Sequence, residues 1–388
     1  MRCVPEVVVF ASTSLLATTV LAPSIVIAAG ENHGQVTLSD EGAMMRVPVN
    51  VFGKTLYFVV DTGCTVSALD SQYQQLLGGQ IDEYSAGTPL GTDITLAVFH
   101  CPKMYVADKE TGLEKITCLD LKLGTLISGK PCDGILGMDY FSKHVVSINF
   151  DENSFSIDDV VPESVKKACR AIPLNRSDKF YSMEALIDHD NHIELMVDTG
   201  DASSISLNSK GWEQAFGDNP TNVIITTVAD AANQIAQSKL GVIKQLSIGD
   251  LVYTNLHTTL IRNPTNASRI GLGFFRRHMA TFDFANNMLY LQRGAKFSTP
   301  DQEDMSGLHL LRQGVTTFVY SIDENSPASD CGIRPNDIIE SLNGQNTVSM
   351  TMKNIRDVLQ THDGASITLK VTRGDNVREF AFALKQAI

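Results

Sequence analysis

Basic residues are in the minority in this chain of 388 residues. Lys and Arg number 31 against 44 Asp and Glu, and the formal net charge is −13. Binding to nucleic acids or to anionic lipid surfaces requires a basic surface, so the composition argues against both. Long apolar runs are also missing beyond the N-terminus, where none approaches the roughly 18 residues that span a bilayer. With 43% hydrophobic and 19% charged residues, the chain has the balance of a globular protein, and its length predicts two to four domains.

Several motifs of catalysis and metal binding are absent as well. The chain has no G-x-S-x-G motif and no glycine-rich phosphate-binding loop, which argues against a serine hydrolase and a nucleotide-binding enzyme. No two cysteines form a C-x-x-C pair, so no zinc site is suggested. The sequence therefore predicts neither a metal nor a cofactor.

The N-terminal 29 residues have the features of an export segment. Arg2 precedes an uncharged stretch from Val7 to Ala29 that is rich in Val, Leu, Ile and Ala and ends in small residues. We predict a signal peptide at residues 1–29 and a periplasmic or extracellular location. An uncleaved N-terminal membrane anchor is the alternative, although Pro23 and several Ser and Thr residues weaken this stretch as a membrane span.

The most informative feature of the sequence is an internal repeat. Segment 59–63 (Val-Val-Asp-Thr-Gly) reappears 137 residues later as segment 196–200 (Met-Val-Asp-Thr-Gly). Upstream of each copy, two apolar segments typical of strands flank a polar turn, at residues 52–54 and 188–191.

A second match lies about 70 residues after each Asp-Thr-Gly motif. Residues 134–137 (Gly-Ile-Leu-Gly) correspond to residues 271–273 (Gly-Leu-Gly) if residues 138–139 are an insertion in the first copy. Residues 140–150 then match residues 274–284, and each copy ends in a polar turn and a further strand.

Residues near 36–158 and 172–293 are therefore two versions of one mostly β unit. This arrangement resembles the aspartic proteases, in particular a single-chain bilobal protein built from two retropepsin-like halves. The resemblance implies two β-barrel lobes, at residues 30–160 and 161–293, with one catalytic aspartate from each lobe meeting at a pseudo-twofold axis.

The resemblance also assigns roles to the repeated motifs. It implies that Asp61 and Asp198 are the catalytic pair. The threonines of the motifs would lock the two loops by reciprocal contacts, and the glycines would let the backbone pass beneath the carboxylates. These supporting residues are Thr62, Gly63, Thr199 and Gly200. Segments 135–137 and 271–273 would hold the loops rigid.

Two adjacent carboxylates suit the hydrolysis of peptide bonds. Such a pair shares one proton, because two like charges at close range do not both ionise easily. The ionised member takes a proton from water, and the protonated member donates to the scissile carbonyl. The resemblance thus predicts an aspartic endopeptidase that holds an extended polypeptide in the cleft between its lobes. Because Cys64 and Asp201 replace the Ser or Ala that commonly follows the motif, a catalytically inactive peptide-binding or scaffold protein is the alternative.

Two further segments are candidates for flaps over the cleft. They are residues 85–91 in the first copy and residues 228–234 in the second. Ordinary surface loops are an equal alternative for both.

The C-terminal part of the chain has a different pattern. Residues 294–305 are polar and are predicted to be a linker. The Ser-Pro-Ala, Gly-Ile-x-Pro-x-Asp-Ile-Ile and Asn-Gly pattern of residues 326–344 resembles a PDZ domain in the permuted bacterial arrangement, at residues 306–388. The resemblance implies that a loop and the helix at residues 354–361 bind a peptide or protein C-terminus. That loop consists of Ser306, Gly307, Leu308, His309 and Leu310. A PDZ domain that packs on the protease and binds nothing is the alternative.

Six cysteines lie outside the predicted signal peptide: Cys64, Cys101, Cys118, Cys132, Cys169 and Cys331. An exported chain permits disulfides among them. Residues 108–112 are typical of a turn, and a hairpin closing on residues 108 and 111 places Cys101 opposite Cys118. We therefore predict a Cys101–Cys118 disulfide, while the connectivity of the others remains open.

Overall fold

The computed structural model describes residues 34–177, 180–188, 191–217, 220, 222–261 and 267–388. The export segment predicted at residues 1–29 lies outside the described residues. Among the helices of the described part, none combines the length and the apolar composition of a membrane span. Strands predominate, in agreement with the short apolar runs of the sequence.

The N-terminal β unit, residues 34–160, is built from short strands. Its strands are β1 (Gln35–Thr37), β2 (Ser39–Asp40), β3 (Met45–Val51), β4 (Lys54–Val60), β5 (Ala68–Asp70), β6 (Asp82–Gly87), β7 (Asp93–His100), β8 (Tyr105–Val106), β9 (Lys109–Glu110), β10 (Lys115–Leu119), β11 (Gly134–Leu136), β12 (Val145–Asn149) and β13 (Ser154–Asp158). Its helices are a 3₁₀ helix (Ser71–Leu76), α1 (Lys122–Ser128) and α2 (Met138–Phe141). Phe52 and Gly53 both have positive φ, at 55° and 70°, and form the two-residue turn between β3 and β4.

The middle β unit, residues 161–293, repeats this architecture. Its helices are α3 (Glu163–Ala168), α4 (Ser209–Phe216), α5 (Leu272–Phe275) and a 3₁₀ helix (Phe284–Asn286). Its strands are β14 (Arg170–Pro173), β15 (Asn175–Arg176), β16 (Tyr181–Ile187), β17 (Asn191–Val197), β18 (Ile205–Asn208), β19 (Val223–Ala229), β20 (Ile235–Ile248), β21 (Leu251–Ile261), β22 (Arg269–Ile270), β23 (His278–Asp283) and β24 (Met288–Arg293).

The main sheets of the two units have the same strand order. In the first sheet the order is β6-β7-β10-β5-β11-β4-β3-β8-β9, with β2 paired to β3. In the second sheet it is β19-β20-β21-β18-β22-β17-β16-β15. Seven consecutive strands therefore correspond one to one. The sequence repeat is a repeat of topology, in which β4 and β17 each lead into an Asp-Thr-Gly motif.

A six-stranded sheet joins the two units, in the order β1-β13-β12-β23-β24-β14. At its centre β12 and β23 are antiparallel, with Ser147 opposite Thr281. These two residues are equivalent in the repeat, and their hydroxyl oxygens lie 2.7 Å apart. Equivalent residues pair with each other only on a twofold axis, so the pseudo-twofold axis passes between Ser147 and Thr281. Buried residues of both units belong to one continuous hydrophobic core.

The two-residue insertion predicted at residues 138–139 is wrong. Gly137 and Gly271 are both N-caps of short helices, α2 and α5, and have nearly the same φ and ψ. With these glycines aligned, the match runs through residues 140–150 and 274–284 without a gap. The partners of Ile135 and Leu136 are then Arg269 and Ile270, which places a charged residue in the second copy where the first is apolar.

The C-terminal module, residues 306–388, has its own small sheet and its own core. Its strands are β25 (Leu308–Gln313), β26 (Thr316–Ile322), β27 (Ile338–Leu342), β28 (Gln345–Asn346), β29 (Ser366–Arg373) and β30 (Asn376–Ala383). Its helices are α6 (Pro327–Asp330), a 3₁₀ helix (Thr347–Ser349) and α7 (Met352–Leu359). The sheet order β25-β26-β27-β29-β30 makes β25 an edge strand, and a capping box between Thr351 and Asn354 starts α7.

The segment predicted to be a linker, residues 294–305, contains no helix or strand but is firmly packed. Asp301 accepts hydrogen bonds from Arg277 (2.8 Å) and from the backbone N–H of His257 (2.9 Å). The ring of Phe297 lies 5.3 Å from that of Tyr253. The connection to the C-terminal module is therefore anchored to the middle β unit.

The C-terminal module docks on helix α1 of the N-terminal β unit. Arg356 of α7 donates a hydrogen bond of 2.6 Å to the carbonyl of Ile127, in the last turn of α1. Gly129, the C-cap of α1, lies against Met352 and Arg312. A cation at the C-terminal end of a helix is favourable, because the last carbonyls lack partners within the helix.

The predicted Cys101–Cys118 disulfide is wrong. Strands β7 and β10 pair with Lys115 opposite His100, so Cys101 faces residue 114 and Cys118 faces residue 97. The reason is the position of the turn, because hairpin β8–β9 closes on Val106 and Lys109 rather than on residues 108 and 111, and strands β7 and β10 continue its register. All six cysteines in the described part of the chain are free thiols.

We expect Arg356→Ala to loosen the C-terminal module from the N-terminal β unit. The change removes a hydrogen bond to the half-buried carbonyl of Ile127, so the free energy of unfolding should fall by about 1 kcal/mol. Segment 294–305 should also become more sensitive to limited proteolysis. Lys370→Ala, at an exposed position of β29, is the matched control. Equal melting temperatures and cleavage rates for both variants would contradict this interface.

Candidate active site

Asp61 and Asp198 occupy equivalent positions, each directly after a central strand. The backbone N–H of Asp61 donates to the carbonyl of Leu136 (3.0 Å), and that of Asp198 donates to the carbonyl of Ile270 (3.0 Å). The following helices repeat this support, since the N–H of Met138 and of Leu272 donate to carbonyls just beyond the two motifs. Both Asp-Thr-Gly loops are therefore fixed by the short strands β11 and β22.

The two threonines bond reciprocally across the pseudo-twofold axis. The N–H of Thr62 donates to Thr199 Oγ1 (3.1 Å), and the N–H of Thr199 donates to Thr62 Oγ1 (3.0 Å). Each hydroxyl also donates to the opposite strand, Thr62 to the carbonyl of Val197 and Thr199 to that of Val60, both at 2.9 Å. These four bonds are buried, so each loop is positioned by the other unit.

Gly63 and Gly200 allow the carboxylates to approach the opposite loop. A Cβ atom at Gly63 would overlap the carboxylate of Asp198, and one at Gly200 would overlap that of Asp61. Their backbone N–H groups donate within their own loops, Gly63 to Asp61 Oδ1 (2.8 Å) and Gly200 to Asp198 Oδ1 (3.0 Å). Any side chain at either position would push the two aspartates apart.

The environment of the pair favours its protonated forms. Burial, followed by the negative charge of Asp198, raises the pKa of Asp61 to about 8. The pKa of Asp198 is also raised, mainly by burial, while the charge of Arg269 opposes this shift. One proton shared by the pair is the expected state near neutral pH.

The residues after the two motifs behave differently. Burial raises the pKa of the Cys64 thiol, which contacts the carbonyl of Val66 at 3.1 Å and stays neutral. Asp201 accepts a hydrogen bond from the N–H of Ser203 (2.9 Å), and its negative charge contributes to the raised pKa of Asp198. Asp201 is therefore a third carboxylate whose charge acts on the pair.

Arg269 is a residue of this site that the sequence analysis missed. Its Nη1 lies 3.5 Å from Asp198 Oδ2, and only 12% of its side chain is exposed. Its Nε is buried without a hydrogen-bond partner among the described residues. The sequence held one signal, a charged residue in a segment that is apolar in the other copy, but the assumed insertion concealed it.

Two β-hairpins approach each other near the site. The candidate flap segments, residues 85–91 and 228–234, fall at the tips of the hairpins β6–β7 and β19–β20. Thr92 Oγ1 donates to Gln234 Oε1 at 2.8 Å, so the two tips meet. Tyr84 of β6 hydrogen-bonds Thr65 just beyond the first motif (2.6 Å), which ties one hairpin to the loop of Asp61.

In the C-terminal module, the loop predicted to receive a carboxylate already holds one. Asp304 Oδ1 accepts from the backbone N–H of Ser306 (2.8 Å) and Gly307 (3.1 Å), and the N–H of Leu308 donates to Ser306 Oγ (3.1 Å). Burial raises the pKa of Asp304, and these hydrogen bonds oppose that shift. A peptide carboxylate can reach the N–H groups of Ser306 and Gly307 only by displacing Asp304. Sequence analysis missed this role, since an acidic residue in a polar segment is typical of a linker.

The remaining residues of that loop do not face an open groove. Leu308 and Leu310 are buried in the core of the module, and His309 Nε2 lies 2.7 Å from Asp323 Oδ1. Helix α1 of the N-terminal β unit packs against both β25 and α7, the two elements predicted to wall a peptide groove. The groove is therefore covered by this chain itself.

Comparison with known proteins identifies the C-terminal module. The family model described as a PDZ domain matches residues 318–373, and no curated protein matches the chain. The match confirms the PDZ resemblance seen in the sequence. The chain therefore contains a PDZ domain, a module that binds extended peptides and protein C-termini.

Proposed function

We propose that the chain is an aspartic endopeptidase whose two β units are retropepsin-like lobes. One observation carries this proposal: two Asp-Thr-Gly loops, related by a pseudo-twofold axis, bring Asp61 and Asp198 together through reciprocal threonine hydrogen bonds. The shared six-stranded sheet and the paired hairpins support the same assignment. The uncharged N-terminal segment adds the proposal that the enzyme acts after export.

The proposed reaction needs only the two carboxylates and a water. The ionised carboxylate takes a proton from the water as it attacks the scissile carbonyl, and the protonated carboxyl donates to the carbonyl oxygen. The resulting tetrahedral intermediate collapses when the carboxyl that took the proton of the water gives it to the leaving amine, while a hydroxyl of the intermediate returns a proton to the other carboxylate. Above about pH 8 the pair loses its last proton, because the pKa of Asp61 is raised to about 8, so activity should fall there.

The substrate of this reaction is an extended polypeptide. Hairpins β6–β7 and β19–β20 meet at Thr92 and Gln234, and their strands offer backbone groups to a chain that lies between them and the aspartates.

A catalytically inactive peptide-binding protein of the same fold is the competing function. Digestion of a broad peptide library between acid and neutral pH separates the two, with and without an inhibitor that mimics the tetrahedral intermediate. Cleavage that the inhibitor blocks supports the endopeptidase. Binding of peptides without cleavage at any pH supports the alternative.

We expect Asp61→Asn and Asp198→Asn each to lower kcat by at least about 10³-fold. A single carboxyl cannot hold both the acid and the base of the reaction. Initial rates on a library-derived peptide measure the loss. Asp375→Asn, at an exposed turn of the PDZ domain, is the matched control and should be fully active. Substantial activity in either active-site variant would refute the pair.

The raised pKa of Asp61 also makes a prediction about stability. The folded chain keeps a proton that an unfolded aspartate releases near pH 3.8, so the unfolded state binds fewer protons between about pH 4 and pH 8. The stability of the wild type therefore falls as the pH rises through this window. Asp61→Asn removes the contribution of Asp61 to this dependence, so the melting temperature of the variant should rise relative to that of the wild type between pH 4 and pH 8. Parallel melting curves across the window would contradict the shared proton.

We further propose that the PDZ domain recruits or tethers polypeptides by their C-termini once Asp304 and helix α1 are displaced, and that Asp304 competes with the peptide carboxylate. Asp304→Ala should therefore raise the affinity for peptides with a free C-terminal carboxylate by about tenfold, but not for their amidated forms. Asp304→Asn keeps an acceptor for the loop N–H groups and is the matched control. Fluorescence anisotropy measures both. Equal affinities of wild type and Asp304→Ala would rule out this competition.

A further inference from the structure

Arg269 is the basic residue that acts on both aspartates of the site. Its positive charge opposes the raised pKa of Asp61 and of Asp198. Besides the other member of the pair, the carboxylate of Asp201 also acts on Asp198 and raises its pKa. The site therefore combines three carboxylates with one guanidinium, and a ligand carboxylate is tolerated only where Arg269 compensates its charge.

The guanidinium of Arg269 is not saturated by its contact with Asp198. The contact joins a single nitrogen, Nη1, to Oδ2 at 3.5 Å. Nε is buried and has no acceptor among the described residues. An arginine has five N–H donors, and a carboxylate can accept two of them in parallel. A buried donor without a partner destabilises the fold, and an incoming carboxylate would remove that cost.

The framework of the fold does not require an arginine at this position. In the N-terminal β unit the equivalent residue, Ile135, packs in an apolar cluster with Ala68, Leu121 and Cys132. Both residues lie on the short strands that support the motifs, β11 and β22, and pair with β4 and β17 in the same manner. The difference makes the two sides of the active site unlike, one apolar and one cationic.

We propose that Arg269 selects substrates with an acidic side chain at one of the two residues that flank the scissile bond. This inference rests on the proposed endopeptidase function. Arg269 lies beside Asp198, so the side chain that reaches it belongs to a residue next to the bond under attack. Arg269 is therefore a specificity-determining residue for one of the two flanking positions. The residue on the other side of the scissile bond faces the N-terminal β unit, where Ile135 is the equivalent of Arg269.

Pairs of peptides that differ only in Glu or Gln, at the residue before or after the cleaved bond, test this inference. At pH 6 one pair should show a kcat/KM ratio of at least about tenfold in favour of Glu. Arg269→Met should reduce that ratio to less than about twofold, and Arg269→Lys should retain part of it. Arg176→Met, an exposed arginine of β15, is the matched control and should leave the ratio unchanged.

The pH provides a second readout that a purely structural role would not change. The preference of the wild type should fade below about pH 4, where the substrate Glu becomes protonated. If Arg269→Met does not fold, the ratio of kcat/KM for Glu and Gln peptides is measured in Arg269→Gln instead. A wild type that cleaves Glu and Gln peptides equally overturns the inference while the endopeptidase stands. If no peptide is cleaved, the endopeptidase proposal fails, and the binding affinities of the same peptide pairs are compared instead. Tighter binding of the Glu peptide that is lost in Arg269→Met supports the role of Arg269. Equal affinities for the Glu and Gln peptides overturn it.

Discussion

Two carboxylates held against each other, that of Asp198 buried and that of Asp61 half-buried, are the constraint on which the rest of this structure depends. Like charges repel, and burial penalises ionisation, so the pair persists only because other groups hold it. The hydrogen bonds between Thr62 and Thr199 hold the two loops from opposite units, and the pairing of Ser147 with Thr281 fixes the same axis in the joining sheet. Because every one of these bonds has a partner in the other unit, neither unit can form the site alone.

The symmetry is strict in the two Asp-Thr-Gly motifs and in the pairing of Ser147 with Thr281, and it is relaxed in the segments around them. The connection between β10 and β11 spans residues 120–133 and contains α1, while that between β21 and β22 spans only residues 262–268. The longer connection supplies the helix on which the PDZ domain docks. Likewise, Ile135 and Arg269 differ although their strands pair alike. The two copies thus differ where the difference adds a docking helix for the PDZ domain, α1, or a positive charge at the candidate active site, Arg269.

The repeat made the positions of the aspartates predictable, since a distinctive motif after an apolar strand is a local signal. Features that depend on tertiary register were not predictable in this way. The hairpin β8–β9 decides that Cys101 and Cys118 do not face each other, and the alignment of Gly137 with Gly271 emerges only from their equal cap geometry. The role of Asp304 likewise depends on a loop that folds back on it.

Helix α1 connects the PDZ domain to the β19–β20 hairpin near the candidate active site. At its first turn, the N–H of Leu123 donates to Asn233 Oδ1 (2.8 Å), and Asn233 Nδ2 donates to the carbonyl of Asp120 (2.7 Å). Asn233 lies at the tip of the β19–β20 hairpin, while the last turn of α1 bonds to Arg356. A ligand that enters the groove between β25 and α7 must displace this seven-residue helix. Displacement of α1 removes two hydrogen bonds from the tip of the β19–β20 hairpin. Ligand binding in the groove and the position of the hairpin therefore both depend on α1.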